Sequence, residues 1–158
     1  PSPGAATQER GGDEGGCGAT HEAEKSMTAV DTNIIVRFLV RDDEKQAEAA
    51  RKHLKQAETR RERLTIPLLV VLETIWVLES AYDKNRSEIL DSLREMRQMP
   101  VFDFEADSVV EGLLNDGLKY KADLADIMIA HAAKATGCEA GITFDKTAAK
   151  LPFFSLLK

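Results

Sequence analysis

Acidic residues in unusual settings are the candidates for chemistry in this sequence. Asp31 and Asp145 each follow a short apolar run, whereas Glu73 interrupts a long one. Asp123 and Asp126 lie three residues apart at the start of a helical pattern, and therefore on one face of that helix. Carboxylate oxygens without histidine or cysteine partners suit Mg²⁺ or Mn²⁺. Such an ion could activate water for attack on a phosphodiester bond and stabilise the leaving oxygen.

Each of these acids also has a purely structural explanation. Asp31 could cap the helix that follows it, and Asp123 and Asp126 could stabilise a positive helix N-terminus. Glu73 could lie on an exposed stripe of its helix or in an internal salt bridge. If Glu73 is buried, its charge needs a positive partner, because burying an ion is costly. All these explanations would have to hold at once, so a shared metal site is the favoured hypothesis.

The elements that must position these acids are short strands that alternate with helices. The strand before Asp31 leads into a helix over Ile34–Val40, and the strand before Asp145 repeats this arrangement. Further strands are predicted over 64–67, 101–104 and 153–157, and further helices over 42–59, 68–81, 87–99, 105–118 and 122–134. The helix over 68–81 is apolar nearly all round, which predicts that it is buried.

This alternation predicts an α/β fold, a three-layer sandwich with a short-stranded, mostly parallel central sheet. Ligands of open α/β sheets bind at the carboxyl ends of the strands, where Asp31 and Asp145 are expected. No glycine-rich phosphate loop is present in the sequence, which argues against an enzyme that uses nucleoside triphosphates.

Composition excludes several classes of protein. The 158 residues are 43% hydrophobic and 30% charged, with a formal net charge of −6, so no global basic field attracts nucleic acid or acidic membrane. Six basic residues from Arg51 to Arg63 could still form a local phosphate-binding patch. Alternatively, their positive charges could stabilise the C-terminus of the preceding helix. The longest apolar run, Ile66–Leu78, has 13 residues, too few to cross a bilayer as a helix.

The chain divides into two segments of different composition. Residues 1–26 contain no large apolar side chain and hold six of the ten glycines, so we expect a disordered tail that lies outside the domain. The domain is predicted over residues 27–158. Cys17 and Cys138 have no paired ligand spacing, which predicts free thiols in a reducing compartment and a cytoplasmic location.

Four segments together resemble the PIN domain family, and within it the VapC-like toxin ribonucleases. They are Val30–Arg37, the apolar helix around Glu73, Asp123–Ala130, and Thr143–Asp145. The resemblance runs from about Met27 to Lys158, and the order and spacing of the segments are more specific than any one of them.

The resemblance implies the roles of particular residues. Asp31, Glu73, Asp126 and Asp145 would be catalytic and would bind the metal, with Asp123 as an additional metal-binding acid. Asn33 and Thr143 would be polar supports. The implied protein is a Mg²⁺- or Mn²⁺-dependent endoribonuclease that cleaves RNA, forms a homodimer and is neutralised by a cognate antitoxin protein.

Two other readings remain open. An aspartyl-phosphate phosphatase or a receiver-like domain also places an aspartate after the first strand, but Asn33 stands where the phosphatase pattern expects a second aspartate. No acidic pair adjoins the first strand, as a receiver would require. A catalytically silent PIN-like RNA-binding module is the other alternative, and the complete set of acids weighs against it.

Overall fold

The computed structural model describes residues 27–158. The helices are α1 Thr32–Val40, α2 Glu44–Thr59, α3 Leu68–Ser80, α4 Arg86–Gln98, α5 Asp107–Asp116 and α6 Leu124–Ala135. The strands are β1 Thr28–Ala29, β2 Leu64–Ile66, β3 Phe102–Phe104, β4 Gly141–Thr143 and β5 Phe154–Leu156, with a 3₁₀ helix at Ala148–Lys150. The predicted tail over 1–26 and Cys17 lie outside the described residues, so the boundary at Met27 stays a prediction.

All strand pairs are parallel, as predicted. Strands β1, β2 and β3 form one sheet in that order, with Thr28 opposite Leu64 and Leu64 opposite Phe102. Strands β4 and β5 pair separately, with Gly141 opposite Phe154. The α/β class with a parallel central sheet is therefore confirmed, although the strands form two ladders rather than one.

Alternate residues of β2 and β3 contribute to the core. Leu64 and Ile66 of β2 and Phe102 and Phe104 of β3 are buried, while Thr65 between the first pair is only partly buried. This period of two is what a pleated strand gives. The helices pack their own apolar side chains against these residues, including Ile35, Leu54, Ile75, Leu90, Leu113 and Ile127.

Helix α2 shows how local sequence sets an element. Asp43 caps it by accepting a hydrogen bond from the backbone N–H of Gln46 at 3.0 Å. Its buried side chains are Ala47, Ala50, Leu54 and Ala57, the apolar face that the helical period predicts.

Within residues 27–158, no helix combines the length and the apolar character needed to cross a membrane.

The predicted burial of the third helix is wrong for one of its faces. Helix α3 buries Val71, Ile75 and Leu78, but Leu69 is 77% exposed and Trp76 is 66% exposed. A helix that is apolar all round carries no period from which its buried side could be read. Leu69 and Trp76 therefore give the domain an exposed apolar surface.

Candidate acidic site

Asp31 lies at the carboxyl end of β1 and begins α1. Its Oδ1 accepts a hydrogen bond from the backbone N–H of Ile34 at 3.1 Å, so the capping explanation is geometrically correct. The side chain is nevertheless exposed, and a carboxylate can accept hydrogen bonds or bind a cation through its second oxygen. Asn33 lies beside it and lines the same surface cavity of about 540 Å³.

Asp145 follows β4 in a similar arrangement. Its Oδ1 accepts hydrogen bonds from the backbone N–H groups of Thr147 at 2.6 Å and Ala148 at 3.0 Å. Its own backbone N–H donates to Thr143 Oγ1 at 3.0 Å. Thr143 thus fixes the backbone that carries Asp145, and the turn after β4 fixes the orientation of the carboxylate.

The start of α6 brings Asp123 and Asp126 close to Asp145. Asp123 occupies the N-cap position but makes no side-chain hydrogen bond to the first turn, so its carboxylate is not used in capping. Partial burial raises the pKa of Asp126, and the charges of Asp123 and Asp145 raise it further. Asp126 therefore lies within range of the charges of Asp123 and Asp145, and these three residues are called the acidic cluster below.

Glu73 lies on the exposed face of α3, which corrects the prediction that it is buried and needs a positive partner. The helical period places it on the same side as Leu69 and Trp76, away from the core. Together with Ala125 of α6, these residues line a groove of about 570 Å³. Because Ala125 directly precedes Asp126, the groove joins Glu73 to the start of α6.

Glu79 is an acid that sequence reasoning missed. It lines the same groove as Glu73. Partial burial raises the pKa of Glu79, the charge of Asp123 raises it further, and the charge of Arg86 lowers it. The only local signal was that Glu79 is the second acid of an otherwise apolar helix, which did not reveal its proximity to Asp123.

The donor types and the charge of this region fit a hard divalent cation. All five predicted ligands are carboxylates, and a cation would offset both the partial burial and the repulsion that raise the pKa of Asp126. In the conformation described, however, no three acidic, histidine or cysteine side chains of residues 27–158 are grouped closely enough to hold an ion. The charges of Asp123 and Asp145 act on Asp126, whereas Asp31 and Glu73 line two separate surface cavities.

Other charged residues lie elsewhere or have structural partners. Arg63 precedes β2, at the edge of the sheet opposite Asp31, and pairs with Asp103 at 3.3 Å. Glu105 follows β3 at the same edge as Asp31, but it caps α3 by accepting from the Leu68 backbone N–H at 2.8 Å.

Comparison with known proteins identifies the family of this chain. The chain is 23% identical over 127 residues to the VapC ribonuclease of Aquifex aeolicus (strain VF5), an alignment that covers 80% of this chain and 93% of that relative. The model of the PIN domain family matches residues 28–153, a range that includes strands β1 to β4 and all six α-helices and ends directly before β5. That match takes in every acid of the predicted site, and the chain belongs to the PIN domain family.

Proposed function

We propose that this PIN domain protein is a Mg²⁺- or Mn²⁺-dependent endoribonuclease. The observation that carries the proposal is the acidic cluster of Asp123, Asp126 and Asp145 at the start of α6 and the end of β4. Like charges are held together here without a basic side chain in the set, an arrangement that a bound cation would stabilise. The VapC ribonuclease with which the chain aligns supports RNA as the substrate.

Asp31, Glu73, Asp126 and Asp145 would hold the metal ion, with Asp123 as an additional acid. When bound, the ion supplies positive charge for the RNA phosphate and lowers the pKa of water. The protein's part is to keep the carboxylates oriented. The Ile34 N–H holds one oxygen of Asp31, and the Thr147 and Ala148 N–H groups hold one oxygen of Asp145. Fixed ligands need little reorganisation when substrate binds.

Hydrolysis of a defined RNA in the presence of Mn²⁺ tests the proposal. Glu73→Gln and Asp145→Asn should each abolish cleavage, because each preserves shape and removes a negative charge. Asp103→Asn is the matched control, since Asp103 pairs with Arg63 and lies outside the acidic cluster. RNA binding without cleavage by the parent would favour the silent RNA-binding module. Parent-like cleavage by Asp145→Asn would contradict the site. Family membership does not favour the phosphatase or receiver alternative.

The protein would be the toxin of a toxin–antitoxin pair, located in the cytoplasm, with a cognate antitoxin and a second copy of itself as partners. Support comes from the VapC relative and from exposed apolar side chains on α3 and α6, namely Leu69, Trp76 and Ile129. Contiguous exposed apolar surface is typical of protein–protein contacts. Light scattering should give about twice the chain mass of 17.4 kDa, and the mass of one chain would contradict the homodimer.

A further inference from the structure

Arg86, at the first position of α4, holds the loop between α5 and α6. Its Nη1 donates to the carbonyl oxygens of Gly117 at 2.8 Å and Tyr120 at 2.7 Å, and its Nη2 donates to that of Ala122 at 2.6 Å. One side chain thus binds three backbone carbonyls spread over six residues. A guanidinium can do this because its donors form a rigid planar fork, which a lysine ammonium lacks.

The same loop is also fixed by close packing against α4. A Cβ atom added to Gly117 would lie 2.7 Å from Leu90 Cδ1 and 2.8 Å from the carbonyl oxygen of Leu113, so a larger residue here would require a shift of the loop or of Leu90. Arg86 and Leu90 are one helical turn apart. One face of α4 therefore holds the loop both by hydrogen bonds and by contact.

The last carbonyl that Arg86 binds belongs to Ala122, the residue directly before Asp123. Asp123 has no side-chain capping bond that would orient it within α6. The path of the backbone from Ala122 into α6 therefore sets where Asp123 lies, and Asp126 follows one turn later on the same face. No other side chain of residues 27–158 donates a hydrogen bond to the carbonyls of Gly117, Tyr120 and Ala122.

We propose that Arg86 is a positioning residue of the acidic site: by binding the α5–α6 loop, it sets the positions of Asp123 and Asp126 relative to Asp145. This inference rests on the proposed metal-dependent nuclease function. Groups that orient metal ligands without touching the metal typically change metal affinity by about 10–100-fold when they are removed. Arg86 would act in this way through the backbone.

The test uses the full chain and three variants. Arg86→Met keeps the apolar stem and removes every donor, whereas Arg86→Lys keeps the charge but not the fork. Arg94→Met is the control, because Arg94 lies on the same helix, is exposed and pairs only with Asp91 in the described structure. Mn²⁺ binding is measured by calorimetry without RNA, and the half-saturating Mn²⁺ concentration is measured in RNA cleavage.

Arg86→Met should weaken Mn²⁺ binding about tenfold or more and raise the half-saturating Mn²⁺ concentration by the same factor, with Arg86→Lys intermediate and Arg94→Met like the parent. A purely structural role would lower the folded fraction without changing the Mn²⁺ affinity of the folded molecules. If Arg86→Met does not fold, Arg86→Lys decides. Parent-like Mn²⁺ affinity in the folded variant overturns this inference alone, whereas a parent that neither binds Mn²⁺ nor cleaves RNA overturns the proposed function as well.

Discussion

Asp31 Oδ1 accepts a hydrogen bond from the Ile34 backbone N–H at 3.1 Å, so the acid that ends β1 also begins α1. Capping and catalysis can be separated, because asparagine caps helices as well as aspartate does but carries no charge. Asp31→Asn should keep the parent's stability and abolish RNA cleavage, whereas Asp31→Ala should also lose about 0.5–2 kcal/mol of unfolding free energy. Urea denaturation and the Mn²⁺ cleavage assay measure the two effects. Cleavage by Asp31→Asn at the parent's rate would exclude Asp31 from the site.

The acidic cluster should destabilise the metal-free fold at neutral pH. Because the pKa of Asp126 is raised, its ionised form is disfavoured in the folded state. Asp126→Asn should therefore melt no lower than the parent without metal. Mn²⁺ should raise the melting temperature of the parent, since it binds the folded state, but not that of the variant. Asp103→Asn should respond to Mn²⁺ like the parent, and a strong loss of stability in metal-free Asp126→Asn would show that this acid is structural.

The buried hydroxyl of Thr74 should be a point of weakness in α3. Thr74 is 1% exposed, and within residues 27–158 its Oγ1 has no hydrogen-bond partner. A buried polar group left without a partner costs about 1–3 kcal/mol. Thr74→Val, which has nearly the same shape, should raise the unfolding free energy by about 1 kcal/mol. Thr74→Ser is the matched control, because it keeps the hydroxyl and loses the methyl, and it should be less stable than the parent.

The ion pair formed by Arg97 and Asp107 should make the unfolding free energy depend on pH in the acidic range. Arg97 Nε and Nη2 donate to the two oxygens of Asp107, each at 2.8 Å, and this bonding lowers the pKa of Asp107. An aspartate with a lowered folded-state pKa contributes stability above its unfolded pKa of about 3.9 and loses it as pH falls through the folded value. The Asp107 side chain is 54% exposed and Arg97 is partly exposed, so solvent screening should keep the contribution below about 1 kcal/mol.

Asp107→Asn should thus melt lower than the parent at pH 7, and the difference should disappear as the pH falls through the lowered pKa of Asp107. Melting curves between pH 7 and pH 2 measure it. Asp91→Asn is the control, because Asp91 makes only an exposed pair with Arg94 on its own helix. A difference that persists unchanged at the lowest pH would show that Asp107 acts by packing rather than by charge.

The sequence was sufficient for features that depend on neighbours along the chain. The helix predicted over Ile34–Val40 begins two residues earlier, at Thr32, because Asp31 caps it. The helix predicted from Ser87 begins at Arg86, capped by Asn85, whose side chain and that of Glu88 form a capping box. Such shifts are small because caps and apolar periods are local signals.

Features that depend on distant contacts could not be predicted. The exposure of Glu73 follows from which face of α3 packs on the core, and an evenly apolar helix does not encode that choice. The proximity of Glu79 to Asp123, and the contact of Arg86 with the loop before Asp123, join residues that are more than 30 positions apart. Pattern reasoning along one chain does not detect such pairs.

The exposed side chain of Trp76 makes it a built-in optical probe. It is the chain's one tryptophan and is 66% exposed, so the indole fluorescence of the whole protein comes from a single position that is largely surrounded by water. The emission of an indole shifts to shorter wavelength when water is removed from around it. Any second copy or antitoxin that covers the groove beside Glu73 would therefore shift the emission of Trp76 to shorter wavelength. Binding could be followed in this way without a label on either molecule.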